Sequence, residues 1–304
     1  MVLSLGEILV DVFVDGEKKT AHPGGAPFNV ACNIASFDNN NAAFYGVVGN
    51  DSNGQLLIGF AKDKISHLYL DRLDDYQTTQ AMVTLDNGER SFKFIRGADY
   101  HLDINKVKTI DLKDINIVHL GSLMLSHQVG RDFIDEVIEY IRSSSKCLIS
   151  FDVNYRDDIF SSPSEAKKAF LNVIKQVDII KFAEEELLLL SGQDDIRVGL
   201  NMLLNPSQIA VVTLGKEGSI FYSKNKFIKV GTYPLKPVDT TGAGDAFYSY
   251  FLYKLDKGLD INDDECIKNA LLRANVVGGL TTQKSGAIGS APSLIEVEDF
   301  IKNH

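Results

Sequence analysis

No run of about 18 apolar residues occurs in this 304-residue chain, so no segment reads as a membrane-crossing helix. Strand-like sequence begins at once, Met1 to Val14 with Glu7 and Asp11 in it, and no basic leader precedes it; cytoplasmic residence is the expectation. Positive charge is short as well: 31 Lys and Arg stand against 41 Asp and Glu, a formal net charge of −10. That balance argues against nucleic acid or an anionic membrane as the main partner. Cysteine is scarce, and Cys32, Cys147 and Cys266 lie far apart in apolar or helical contexts, which suits reduced, buried thiols. His22, His67, His101, His119, His127 and His304 keep no metal-ligand spacing, so a zinc site is not expected. Gly49-Asn50-Asp51-Ser52-Asn53-Gly54 has the glycine spacing of a P-loop, but Gln55 stands where Lys is required. Linkers rich in Pro and Ser, low-complexity blocks and internal repeats are missing too.

What is present is enough apolar sequence, 44% of residues, for a large core. Strand candidates are Val2–Val14, Ala42–Val48, Ile117–Leu120, Cys147–Val153, Ile179–Phe182 and Ile209–Leu214. Helix candidates between them are Phe28–Phe37, Asn53–Lys64, Gly130–Ser143, Ser164–Gln176 and Asp194–Leu204. Continuous apolar strands separated by helices indicate an α/β fold with a mainly parallel sheet covered on both faces. Ser219–Ser223 and Lys226–Val230 then read as a hairpin, followed by helices Ala243–Lys257 and Asn262–Leu280. Thr78–Leu85 and Ser91–Arg96 flank Asp86-Asn87-Gly88-Glu89, a strong hairpin signal, and could join Val10–Val14 and Lys18–Ala21 in a small separate sheet.

The most informative stretch is Asp239-Thr240-Thr241-Gly242-Ala243-Gly244-Asp245-Ala246-Phe247. It reads as a small-residue turn whose backbone N–H groups point outward where a helix begins, which is an anion site. A capping role would explain Asp245 alone, but not the crowding of Thr-Thr-Gly-Ala-Gly before it. Small residues let a phosphate approach, and Asp245 is placed to take a proton from an attacking hydroxyl. Phosphoryl transfer asks for little more than positioning, dipoles and such a base.

Other segments are weaker alone. Gly24-Gly25-Ala26-Pro27-Phe28-Asn29 is a loop feeding a helix, with Pro27 suited to the first turn. Asp11 ends the first strand run, where ligands gather in open α/β sheets, and a carboxylate is a good acceptor for a diol. Thr213-Leu214-Gly215-Lys216-Glu217-Gly218 follows an apolar strand, as any turn into a hairpin would. Lys181 to Glu186 closes another strand and opens a helix, and Thr281 to Ser290 is a glycine-rich loop.

The Asp239–Phe247 stretch resembles the second signature of the ribokinase-like (PfkB-type) sugar kinases, and the likeness covers essentially the whole chain. It implies a single domain over 1–304, a three-layer α/β/α ribokinase-like fold with a small, discontinuous β lid over about residues 10–22 and 78–100. It implies ATP and Mg²⁺, K⁺ as a further cofactor, a small sugar as partner and a homodimer through the lid. Gly242, Ala243 and Gly244 take the anion-hole role and Asp245 that of the base; Gly24, Gly25, Asn29 and Asp11 bind sugar. Lys181, Thr213, Gly215, Gly218 and Asn275 fall on the nucleotide side. Glu186 organises the magnesium shell, with Ala183 where the family has Asn or Ser. Asp239, Thr241, Thr281, Gly286 and Ser290 match the monovalent-cation loop.

Asp152-Val153-Asn154-Tyr155-Arg156 is similar to the Asp-Pro-Asn-x-Arg segment of fructokinases and 2-keto-3-deoxygluconate kinases, with Val153 replacing Pro. It brings Asn154 and Arg156 to the substrate, and Arg96-Gly97-Ala98-Asp99, resembling a fructokinase lid segment, adds Arg96. Fructose is the expected substrate; 2-keto-3-deoxygluconate and ribose are the alternatives within the class, and a non-catalytic sugar sensor is the alternative outside it.

Overall fold

The structure, a computed structural model, describes residues 1–15, 18–86, 89–156, 159–223, 225–284, 286 and 291–304. Its strands are β1 (Val2–Leu5), β2 (Leu9–Asp15), β3 (Lys18–Gly24), β4 (Ala42–Gly49), β5 (His67–Leu73), β6 (Gln80–Asp86), β7 (Glu89–Ile95), β8 (Ile117–Leu120), β9 (Leu148–Asp152), β10 (Ile179–Ala183), β11 (Ile209–Thr213), β12 (Ser219–Ser223) and β13 (Lys226–Val230). Its helices are α1 (Ala26–Phe37), α2 (Ser52–Lys64), α3 (Ile104–Val107), α4 (Gln128–Ser144), α5 (Pro163–Ile174), α6 (Glu184–Ser191), α7 (Ile196–Leu203), α8 (Ala243–Asp256), α9 (Asp264–Thr281) and α10 (Leu294–Asn303).

Among the described residues, nine strands make one sheet in the order β13-β12-β11-β10-β9-β8-β1-β4-β5. From β5 to β11 the pairing is parallel, and only the β11–β12 and β12–β13 pairings are antiparallel, so β12 alone runs against the rest of the sheet. Buried apolar side chains fill both faces. Ile180, Phe182 and Val212 pack with Phe133 and Ile134 of α4 and Phe170 of α5, while Ile179, Val211 and Phe44 pack with Phe28 of α1, Phe251 of α8 and Leu271 of α9. Burial on both faces is why these strands read as unbroken apolar runs rather than alternating ones. The result is a three-layer α/β/α arrangement.

A second sheet of four strands, ordered β3-β2-β6-β7, stands apart from the first. β2 pairs antiparallel with β3 and parallel with β6, and β6 pairs antiparallel with β7. The expected Val2–Val14 strand is therefore two strands in two sheets. The ladder of β1 with β4 and β8 ends at Leu5, Gly6 N–H turns to the Tyr45 carbonyl (3.2 Å), and the chain crosses to the second sheet through Glu7 and Ile8. Turn residues Asn87 and Gly88, on which the hairpin expectation rests, lie outside the described residues.

Among the described residues no helix is long and apolar enough to cross a membrane. Cys32, Cys147 and Cys266 are free thiols; the first two are buried and Cys266 is half-buried.

Candidate active site

Where the C-terminal ends of β1, β9 and β10 meet the N-termini of α1 and α8, a cavity of about 390 Å³ opens, and the second sheet closes one side of it. Asp11, Phe13, Ala81 and Phe94 line it from that sheet, and Gly25, Asn29, Lys181, Gly242, Gly244 and Asp245 from the body. Open α/β sheets place ligands at this edge.

Helix α8 supplies the cavity's anion-receptive end. Its first position outside the helix, Gly242, is left-handed (φ 77°), a conformation a side chain would strain, and no side chain caps this terminus. Ala246 N–H is the first to close a helical bond, onto the Gly242 carbonyl (2.9 Å). The amides of Gly244 and Asp245 ahead of it have no carbonyl to reach within the helix. An ideal Cβ on Gly244 would lie 3.3 Å from Lys181 Nζ, so a bare backbone and an ammonium face each other here.

Asp245 is half-buried in the first turn of α8, and its Oδ2 accepts a hydrogen bond from Asn29 Nδ2 on α1 (2.7 Å). Burial raises its pKa above the usual carboxylate range, against the pull of that hydrogen bond and of the Lys181 and Arg156 charges. Asp11 is pushed up to about 7 by burial and by the Asp245 charge, with Arg156 opposing. Gly24 does not line the cavity but backs it: a Cβ there would sit 2.9 Å from the Asp11 carboxyl carbon. Glu7 lines it, 2% exposed, with its Oε2 meeting no hydrogen-bond partner among the described residues.

Lys181 Nζ pairs with Asp152 Oδ1 at 2.9 Å, both buried. Burial alone would lower the Lys181 pKa, but the carboxylates of Asp152, Glu186 and Asp245 outweigh it and keep the ammonium charged. Three carboxylates around one ammonium leave negative charge in excess, and burial raises Asp152 accordingly, its Oδ2 meeting no partner among the described residues. Glu186 is occupied locally, accepting from the backbone N–H groups of Ala183 (2.6 Å) and Tyr155 (2.8 Å). Asn154, with φ 34°, and Arg156 follow Asp152 into the cavity wall.

Asp239 ties two loops together: it accepts from Thr241 N–H (2.9 Å) and from Gly286 N–H (3.0 Å), and its own N–H donates to the Thr282 carbonyl (3.0 Å). Thr281 is buried with its hydroxyl bonded to the Val277 carbonyl (2.8 Å), and Ser290 lies outside the described residues. Thr213 ends β11, and Gly215 and Gly218 bound the turn after it, away from the cavity lining. Asn275 bonds the carbonyls of Val230 (3.2 Å) and Gly231 (3.1 Å), the segment against which Gly218 also packs. Ala243 heads α8 without lining the cavity.

Arg96 is outside the lining; its guanidinium is spent on Asp99 and Ser126. Glu7, Ser122 and Leu123 line the cavity without having been singled out from sequence. For Ser122 a signal existed, since it follows the C-terminal end of β8, the edge at which Asp11 was expected; Asp11 itself lies inside β2 of the second sheet rather than at the end of the first strand.

The chain matches the description "pfkB family carbohydrate kinase" over residues 2–294. It is 32% identical to fructokinase-1 of Zea mays, over 99% of this chain and 98% of the relative. It superposes on the fructokinase of Vibrio cholerae O395, solved with fructose, ADP and calcium ion, with a TM-score of 0.88, 31% identity and 98% of each chain covered. The fructokinase of Xylella fastidiosa with bound ATP matches with a TM-score of 0.90 at 26% identity, covering 99% of this chain and 98% of that one. Fold and likeness together define a carbohydrate kinase. The chain belongs to the pfkB family.

Proposed function

We propose that this kinase transfers the γ-phosphate of ATP to a primary hydroxyl of fructose. What supports the reading is that Asp245, Asn29, Asp11 and the open end of α8 border one cavity of about 390 Å³. Asp245, oriented by Asn29, takes the proton of the attacking hydroxyl; the Gly242–Gly244 backbone and Lys181 meet the charge of the transferred phosphoryl group. Asp11, Asn29 and Asn154 hold sugar hydroxyls. Thr213, Gly215, Gly218 and Asn275 border the nucleotide, and the second sheet is a discontinuous lid that keeps water from the phosphate. Gly25 lets the sugar approach the backbone, with Gly24 behind Asp11.

Mg²⁺ fits the excess of carboxylate around Lys181 and the buried, unpartnered Asp152 Oδ2. Among the described residues no cluster of three metal-ligating side chains exists, so Asp152 and Glu186 would hold the ion largely through water and phosphate. When bound it supplies charge neutralisation to the phosphates. K⁺ suits the loop pair joined by Asp239, and the protein works in the cytoplasm as a dimer through the lid.

A second reading, a sugar acid such as 2-keto-3-deoxygluconate, is favoured by one observation: Arg156 lines the cavity and could pair with a carboxylate. ATP turnover over fructose, 2-keto-3-deoxygluconate and ribose separates the readings. We expect fructose first in kcat/KM, a higher rate in potassium than in tetramethylammonium chloride, and a dimer by sedimentation. Preference for the acid would move the assignment to the second reading; turnover of none would remove the sugar-kinase assignment.

A further inference from the structure

Strands β6 and β7 carry Ala81 and Phe94, paired across from each other, into the cavity. They leave the body at Thr79, one residue before β6, and at Arg96, one residue after β7. Both exits converge on Asp99, which is fully buried. Thr79 Oγ1 donates to Asp99 Oδ1, and Arg96 Nε donates to Oδ1 (3.2 Å) and Oδ2 (3.0 Å), with Nη2 adding a further bond to Oδ2. Thr79 Oγ1 accepts in turn from Gly97 N–H (2.8 Å), and the Thr79 carbonyl from Val10 N–H (3.1 Å), so β2 is gathered at the same knot.

The knot is fixed to the body on two sides. Arg96 Nη1 donates to Ser126 Oγ (2.6 Å), at the end of the short helical turn Leu123–Ser126 whose first residue lines the cavity. On the other side Thr78 donates through N–H (2.8 Å) and Oγ1 (2.7 Å) to Asp51, which also caps α2 through Gly54 N–H (2.8 Å). A buried ion pair is a poor source of net stability, because desolvation offsets most of the attraction. What a guanidinium fork on a carboxylate does supply is direction, since its donors fix the angle between the two groups.

Resting on the kinase reading, we propose that Asp99, Thr79 and Arg96 are positioning residues that set the angle of the lid hairpin over the sugar, with Ser126 relaying that angle to the cavity wall. None of the four touches the reacting atoms. Their effect passes through Ala81, two residues beyond Thr79, and Phe94, two residues before Arg96.

The test uses Thr79→Val and Ser126→Ala, with Arg96→Lys keeping the charge but not the fork. For folded variants we expect the sugar KM to rise about ten- to a hundredfold, the scale of a misplaced positioning element, while the KM for ATP stays within about twofold. Sugar phosphate formed per ADP released should fall below that of the wild type, because a misangled lid admits water. Amide hydrogen exchange of β6 and β7 should quicken in the same variants, and that readout needs no activity. If the wild type phosphorylates no sugar, the kinase reading fails while the exchange result still tests the knot. Wild-type coupling and wild-type exchange in all three variants would overturn the proposal. So would a common fall in kcat and melting temperature with coupling intact.

Discussion

Glu7, carried into the cavity wall between β1 and β2, is 2% exposed, and burial pushes its pKa up to about 8, from an ordinary value near 4.5. A carboxyl whose folded pKa is raised binds its proton more tightly when folded, so its contribution to stability is full below about 4.5 and is lost as pH rises toward about 8. Glu7→Gln, which is neutral throughout, should therefore gain melting temperature relative to the wild type at pH 8 and not at pH 4.5. An equal offset at both pH values would show that Glu7 is not protonated in the fold. Asp11 carries a functional counterpart. With its pKa near 7, its ionised form grows through neutrality, so kcat/KM for the sugar should rise across that range. Asp11→Asn should flatten the rise and weaken sugar binding on the order of 1.5–3 kcal/mol, the usual worth of a hydrogen bond to a charge. An unchanged KM would remove Asp11 from the sugar. Arg96, expected on the substrate side, is paired in the structure with Asp99, three residues on, through a contact that exists only in the folded turn.

At the scale of elements, legibility followed burial. Ser219–Ser223 and Lys226–Val230 were readable to the residue, and the strands buried on both faces were readable from their apolar runs. β5 was not, since His67-Leu68-Tyr69-Leu70-Asp71-Arg72-Leu73 alternates polar and apolar at an edge that is largely half-exposed. α10 carried a signal that went unused, the box in which Ser293 and Glu296 exchange hydrogen bonds (2.7 and 3.2 Å). The break between β1 and β2 is marked locally by Gly6, with φ 152° and a Cβ position only 2.6 Å from Pro27, a signal easily lost within one long apolar run. α8 permits a sharp test. Gly244→Ala would put a methyl 3.3 Å from Lys181 Nζ, inside the space read as the phosphate seat. For a variant that folds as the wild type does, kcat should fall about tenfold or more, because the methyl takes the space of the transferred phosphate. Wild-type turnover would show that no phosphate approaches Gly244.

At the scale of the whole molecule, a chain of net charge −10 that takes an anionic nucleotide has to attract it locally, and on the proposed reading the open N-terminus of α8, Lys181 and Arg156 are the positive groups at the cavity that would do so. The layered architecture was legible because helices cover both faces of the sheet. The convergence of β2, β6 and β7 on α1 and α8 was legible only through resemblance, since it joins Asp11, Asn29, Ala81, Phe94 and Asp245 across the length of the chain. The central claim is that this convergence makes Asp245 the base in sugar phosphorylation, and Asp245→Asn tests it most directly, with turnover and nucleotide binding measured on the same preparation. The account predicts nucleotide affinity close to wild type and turnover lower by about 10² to 10⁴, the usual cost of removing a general base. Turnover within a few-fold of the wild type would contradict it.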